Sequence, residues 1–263
     1  MTANDVWYHT ALHLLNTGKE VNPKDLETRE HVNFQTAVPM SHPFVTYKER
    51  KLGYKFMAAE AATILIGGNT VASLKQFSKE ISMFSDDGYF FSGAYGPRVV
   101  DQLTYIVDCL VEDEFSRQAV MTLWRKNPRP SKDIPCTVAL QFLIRDGRLH
   151  CIATMRSSDI WLGWPYDVFN FTMISHYLSL LWEHRKGYRL MLGMLYINAG
   201  SQHLYWDDFD KVKKLHAGDY DDKIVLVTES HNPFIGFNSP HNLVEWLIER
   251  AENGDLLDKC RQD

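Results

Sequence analysis

The stretch IPCTVALQFLIRDGRLHCIATMRSSD, residues 134–159, decides how the rest of the chain is read. Two apolar runs, Thr137–Ile144 and Leu149–Met155, flank Asp146-Gly147, a dipeptide suited to a tight turn. The pair therefore reads as a β-hairpin. Arg156 to Asp159 follow directly from its second strand, so polar groups cluster at that strand's end. Working outward, helical periodicity predicts helices over Asp5–Leu15, Lys55–Ile66, Val99–Leu110, Val168–Trp182 and Asn242–Asn253. Gly67-Gly68 closes the second of these, and Gly254 is placed to end the last. Short apolar runs predict strands over Ala119–Trp124 and Arg189–Asn198, the latter ending at Asn198-Ala199-Gly200. After Asp207 the pattern weakens, and the charged C-terminus is expected to fray. The expected fold class is α+β, a sheet covered by long helices.

Composition narrows the function. With 263 residues, 45% apolar and 23% charged, the chain has the make-up of a globular protein, which excludes disorder, collagen and coiled coil. No internal repeat or Pro/Gly/Ser-rich linker divides it, so residues 1–263 are expected to form one domain. A formal net charge of −5 speaks against direct nucleic-acid binding without a local basic patch, but leaves a nucleotide monomer open as ligand. No apolar run reaches the roughly 20 residues of a membrane span, and MTANDVWYHTALHLLNTGKE lacks a signal core, so a cytoplasmic location without membrane contact is expected. Four cysteines (Cys109, Cys136, Cys151, Cys260) lack metal-ligand spacing and are expected to be free thiols. No metal is expected. Neither GxGxxG nor GxxxxGK[ST] occurs.

Several residues stand out chemically. Cys136 at the start of a strand is a small hydrophobe or a nucleophile. Arg117 and Arg156 edge apolar segments, where a guanidinium meets either an anion or an ordinary surface carboxylate. Glu60 sits inside an apolar helix, where burial raises a carboxyl pKa towards general acid/base use unless backbone hydrogen bonds satisfy it. His203 and Tyr205 are two apart, so an extended segment turns both to one side, towards a sugar hydroxyl or into the core. Together they suggest a cysteine enzyme acting on an anionic substrate.

Ordered blocks then carry a family resemblance from about Asn22 to Asp208. Asn22-Pro-Lys-Asp-Leu-Glu-Thr-Arg29 is similar to a phosphate-loop region, and Glu60 with the following AATILIGGNT resembles a Glu-Leu-Leu-Trp-Phe-Leu-x-Gly-x-Thr helix. Gly93-Ala-Tyr95-Gly96, Ser116-Arg117, Pro135-Cys136 with Gln141-Phe142, Arg156-Ser157-Ser158-Asp159 with Leu162-Gly163 and Pro165-Tyr166, and His203-x-Tyr205 follow in order. The chain resembles the thymidylate synthase superfamily, and within it the phage deoxycytidylate 5-hydroxymethyltransferases. That resemblance implies a thymidylate-synthase-like fold whose mixed sheet dimerises through one face, with active sites shared across a homodimer. The segment from about Lys211 does not resemble the synthases' closing tail.

The resemblance implies transfer of a one-carbon unit from 5,10-methylenetetrahydrofolate, as co-substrate, to carbon 5 of a pyrimidine nucleoside monophosphate. Cys136 would be the nucleophile, Glu60 would manage protons through ordered water, and Tyr95 would be the active-site tyrosine. Arg29, Arg156, Ser157 and the second subunit's Arg117 would hold phosphate, although Gln118 stands where the synthases have a further Arg. His203 and Tyr205 would hold the sugar 3′-hydroxyl. Asp159, Leu162, Gly163 and Tyr166 would line the folate site, and Arg50 or Lys51 would meet a polyglutamate tail. At Asp167 the synthases carry Asn. A carboxylate accepts from the amino group of cytosine and, when it holds a proton, serves the ring nitrogen too. Asp167 therefore points to dCMP and brings a second carboxylate towards the reacting carbon, which favours water over hydride as the final nucleophile. The alternatives left open are dCMP methylation, CMP hydroxymethylation, a dUMP-specific synthase and a silent nucleotide-binding protein.

Overall fold

In the computed structural model, which describes residues 2–218, 236–253 and 256–257, the central hairpin forms as its sequence predicts. Strands β4 (Thr137–Arg145) and β5 (Arg148–Met155) pair antiparallel through Asp146 (φ 52°) and Gly147 (φ 69°). Both turn residues carry the positive φ that a two-residue hairpin with the natural strand twist requires. The sheet is completed by β1 (Lys19–Val21), β2 (Thr28–Pro39), β3 (Val120–Thr122) and β7 (Met191–Tyr205), in the order β1-β2-β7-β5-β4-β3. The two-residue strand β6 (Ser158–Asp159) pairs with the far end of β7. All neighbours are antiparallel except β7 with β5 and β6, so the sheet is mixed and the chain α+β.

The helices are α1 (Ala3–Thr17), α2 (Tyr54–Leu65), α3 (Val71–Lys75), α4 (Gly96–Glu112), α5 (Trp164–Lys186), α6 (Trp206–Ala217) and α7 (Pro240–Glu252). Helix α5 is apolar nearly all round and is buried accordingly, with Phe169, Phe171, Met173 and Trp182 sealed inside. It begins four residues earlier than periodicity suggests, because Pro165 suits a first turn. Gly187 at φ 80° ends it. Helix α2 closes as expected: Gly68 N–H donates to the Thr63 carbonyl and Gly67 N–H to Ile64, with Gly67 left-handed.

Two expectations need correction. The last long strand does not stop at Asn198-Ala199-Gly200 but runs on to Tyr205, paired along its length with β2, which sequence reading left unassigned. Gly200 marks a close approach instead of a turn: a Cβ there would lie 2.8 Å from the Arg156 carbonyl oxygen. Ser201 N–H donates to that same carbonyl. The weak pattern after Asp207 is helix α6, and Leu256 and Leu257 pack into the core although their surroundings are charged. Cys260 and the predicted stop at Gly254 lie outside the described residues. Among the described residues no helix is long and apolar enough to cross a membrane.

Candidate active site

Hairpin pairing joins the thiol to its cation. Thr137 lies opposite Met155, so the residues just outside the ladder, Cys136 and Arg156, become neighbours, and Arg156 N–H donates to the Cys136 carbonyl at 2.8 Å. The Arg156 guanidinium is pinned by the carbonyls of Pro135 and Ile134 and by Ser157 Oγ, and both its Nη2 and Ser157 Oγ lie 3.6 Å from Cys136 Sγ. Burial pushes the Cys136 thiol up, while Arg156 and Ser157 pull the other way. Cys151 is completely enclosed, and burial pushes its thiol up to about 12, so it is an inert core group. Among the described residues Cys136 is thus the thiol that meets both a cation and a cavity.

That cavity, about 250 Å³, is lined by the polar or reactive side chains of Cys136, Tyr95, Asp167, Glu60 and Asn170 and by the apolar side chains of Leu74, Ile81, Phe84 and Phe91, among others. Gly96, in the cavity lining, packs closely on the backbone of Gly68: a Cβ there would lie 2.4 Å from the Gly68 carbonyl oxygen. The Tyr95 hydroxyl accepts from Thr137 N–H at 3.2 Å and pairs with Thr137 Oγ1 at 2.8 Å. Burial, with Asp167 and Cys136 nearby, raises its pKa, so it stays a neutral phenol.

The carboxylates are the unusual part. Glu60 comes from α2 and Asp167 from the first turn of α5. Both border the cavity, yet the protein around them is close enough that burial dominates their titration. Glu60 is pushed up to about 7, partly restrained by the amide of Asn170, whose Nδ2 donates to Glu60 Oε2 at 2.7 Å. Asp167 is raised well above the usual carboxylate range, first by burial and then by Glu60 and Asp159. An ionised Glu60 favours the protonated form of Asp167. Asn170, missed by sequence reading, is a buried polar residue one turn beyond Asp167, and that i, i+3 spacing was the available signal. Asp133 was missed as well; it borders the cavity and accepts from Gly93 N–H at 2.6 Å.

The remaining predicted residues divide. Asp159 accepts from the amides of Trp161 and Leu162, which turns the chain into α5 past Gly163; burial raises its pKa and His203 opposes. In the β6–β7 register it faces His203, whose ring stands edge-on to Tyr205 at 5.0 Å. Tyr166 receives the Gly53 amide at 3.1 Å and packs on Phe56, while Leu162 is exposed. Arg50 is committed to the protein: it donates to the Trp161 and Leu162 carbonyls and lies over the Trp161 ring, while the adjacent Lys51 is exposed. Arg29 is paired in β2 with Leu204, between His203 and Tyr205, but its guanidinium binds Glu20 and the Leu15 carbonyl and covers Phe209. Arg117 is exposed in the α4–β3 connection, where its carbonyl accepts from Gln141. The structure thus brings together Cys136, Arg156, Ser157, Tyr95, Glu60 and Asp167, and holds Arg29 and Arg117 elsewhere. Among the described residues no group of three or more His, Cys, Asp and Glu could hold a metal ion.

The arrangement joins a nucleophile beside a cation, a carboxylate that titrates near neutrality and an apolar wall, which suits covalent catalysis on a flat anionic substrate. The chain is 28% identical over 213 residues to the deoxyuridylate hydroxymethyltransferase of Bacillus phage SP01, covering 73% of this chain and 51% of that protein. It is 30% identical over 220 residues to the deoxyuridylate hydroxymethyltransferase of Pseudomonas phage M6, covering 77% and 60%. The chain spans between half and two thirds of the length of these curated relatives. Residues 8–232 match the family model described as Thymidylate synthase, and the chain belongs to the thymidylate synthase family.

Proposed function

We propose that this chain transfers a one-carbon unit to carbon 5 of dCMP and lets water complete the product, 5-hydroxymethyl-dCMP. The observation that carries the choice of base is Asp167, a carboxyl group that lines the cavity with the nucleophile and whose burial favours its protonated form. One oxygen accepts from the cytosine amino group and the protonated one donates to ring N3, whereas uracil presents a carbonyl and an N–H in the reverse order. Two phage relatives carry a name that specifies deoxyuridylate, and this favours dUMP as the second reading.

Leu74, Ile81, Phe84 and Phe91 in the cavity lining suit a flat folate ring, and Asp159, Leu162, Gly163 and Tyr166 would contribute the remainder of the folate site. Bound 5,10-methylenetetrahydrofolate supplies the methylene carbon. Cys136 thiolate bonds to carbon 6 of the base, and the displaced electron pair makes carbon 5 nucleophilic. Once carbon 5 has bonded to the methylene, loss of its proton would break the methylene–nitrogen bond, the nitrogen leaving with that electron pair as tetrahydrofolate; water oxygen then bonds to the exocyclic carbon while Glu60 takes the water proton. The electrons return to expel Cys136 and restore the ring double bond. Arg156 and Ser157 bind phosphate, and His203 and Tyr205 hold the 3′-hydroxyl. Arg29 joins the phosphate after releasing Glu20, and Arg117 reaches the site of a second copy in a homodimer formed through the open sheet face. Residues 1–263 act as one catalytic domain in the cytoplasm.

The test is mass spectrometry of dCMP, CMP and dUMP after incubation with the folate, with absorbance monitored for dihydrofolate. A gain of about 30 mass units on dCMP without dihydrofolate is expected for water capture. A gain of about 14 with dihydrofolate would mean methylation, and modification of dUMP alone would give the base to the second reading.

A further inference from the structure

Asn170 is 4% exposed, borders the cavity with Cys136 and Asp167, and splits its amide between two surroundings. Its Nδ2 donates to Glu60 Oε2 at 2.7 Å, while its Oδ1 is buried without a hydrogen-bond partner among the described residues. A side-chain amide is nearly symmetric in shape, so its partners decide which end points where. An ionised carboxylate only accepts, so Glu60 takes the NH2 end and leaves the amide oxygen buried and unpartnered, in a residue that lines the cavity. We propose that Asn170 is a base-specificity residue, its Oδ1 held by Glu60 as the acceptor for the second N–H of an exocyclic amino group.

This rests on the dCMP reading and deepens it. An amino group at carbon 4 has two N–H bonds, one turned towards ring N3 and one turned towards carbon 5. Asp167 accepts the first. The second needs an acceptor on the carbon 5 side, where the reaction itself occurs and where Glu60 must also lie. Asn170, one helical turn beyond Asp167 and bonded to Glu60, stands at that junction. The oxygen of uracil at the same position would meet Asn170 Oδ1 acceptor to acceptor, and neither could be satisfied. The pocket would then discriminate twice at one substituent, through two residues of a single helix.

The experiment measures calorimetric affinities without folate, on the whole chain at pH 8, above the pH of about 7 near which Glu60 ionises. Three nucleotides are compared: dCMP, dUMP and the 2-pyrimidinone deoxynucleotide, which has no substituent at carbon 4. Asn170→Ala and Asn170→Ser should weaken dCMP by about five- to tenfold, the size of one lost hydrogen bond, leave the 2-pyrimidinone nucleotide within about twofold, and strengthen dUMP by relieving the opposed acceptors. Glu60→Gln should lower the dCMP:dUMP preference too, because a carboxamide accepts either end of Asn170. Ratios within one protein cancel any general loss of folding. An equal loss for all three nucleotides, or an unchanged dCMP:dUMP ratio in both Asn170 variants, overturns the proposal, the latter placing only water at Oδ1. If the unaltered protein itself shows no preference for dCMP, the dCMP reading falls with it. A preference that is present but insensitive to Asn170 removes this proposal alone.

Discussion

Asp167→Asn is the sharpest perturbation the site allows. The two side chains have the same shape, so packing in the first turn of α5 is preserved, and a buried titratable group is removed. What changes is polarity at two positions. With a protonated Asp167, cytosine is matched at its amino group and ring nitrogen; with Asn, the donor and acceptor suit a uracil carbonyl and ring N–H. Each buried group left unpaired costs about 1–3 kcal/mol, so two mismatches cost about 2–6 kcal/mol. At about 1.4 kcal/mol per decade, that is about 30-fold to 10⁴-fold in kcat/KM against dCMP relative to dUMP. Tritium release from carbon 5 of each labelled nucleotide reads this ratio whichever product forms. A ratio within about twofold of the starting value would refute the argument, since it falls below even one neutral hydrogen bond.

The other predictions concern the nucleophile, the second carboxylate and the assembly. Cys136→Ala should abolish turnover and keep nucleotide affinity within a few-fold in equilibrium dialysis; appreciable product from it would exclude the covalent route. Glu60 is held near pH 7 against a usual 4.5, so it favours the folded state fully below pH 4.5 and loses that advantage as pH rises to about 7. Urea unfolding of the wild type and Glu60→Gln should therefore diverge across that window, by at most about 3 kcal/mol, with the variant relatively better at pH 8. A constant difference would mean that Glu60 is better solvated than its surroundings indicate. Finally, mixed Arg117→Ala and Cys136→Ala subunits should regain part of the lost activity through sites assembled from one intact half of each. A mixture that stays inactive despite confirmed exchange would place Arg117 outside the site.

The elements legible in the sequence are those whose burial repeats locally. The hairpin announces itself through Asp146-Gly147 between apolar runs, and α5 through a stretch too apolar to face water. Strand β2 was hidden because Arg29, Glu30, His31, Asn33 and Gln35 break its alternation, and what holds it is pairing with β7, about 170 residues away. Gly200 misled for a related reason: a glycine needed for the approach of Arg156 has the same letter as one needed for a turn. In the site, Cys136, Glu60 and Arg156 could be named from residue type and place alone. That Arg29 would turn to Glu20, or that Asn170 would share a hydrogen bond with Glu60, depends on which elements meet in space.

The division of labour between β4 and α5 has an evolutionary side. In the proposed reading, the group that would form the covalent bond stands at the edge of a hairpin, whereas the group that would face the base stands on a helix that follows it in the chain. Codons for Asp and Asn differ by a single nucleotide, so one transition at position 167 would trade one pyrimidine for the other without disturbing Cys136 or its arginine. On the proposed reading, substrate choice would be a shallow inherited trait laid over a deep one, and two close relatives could share their chemistry while making different bases.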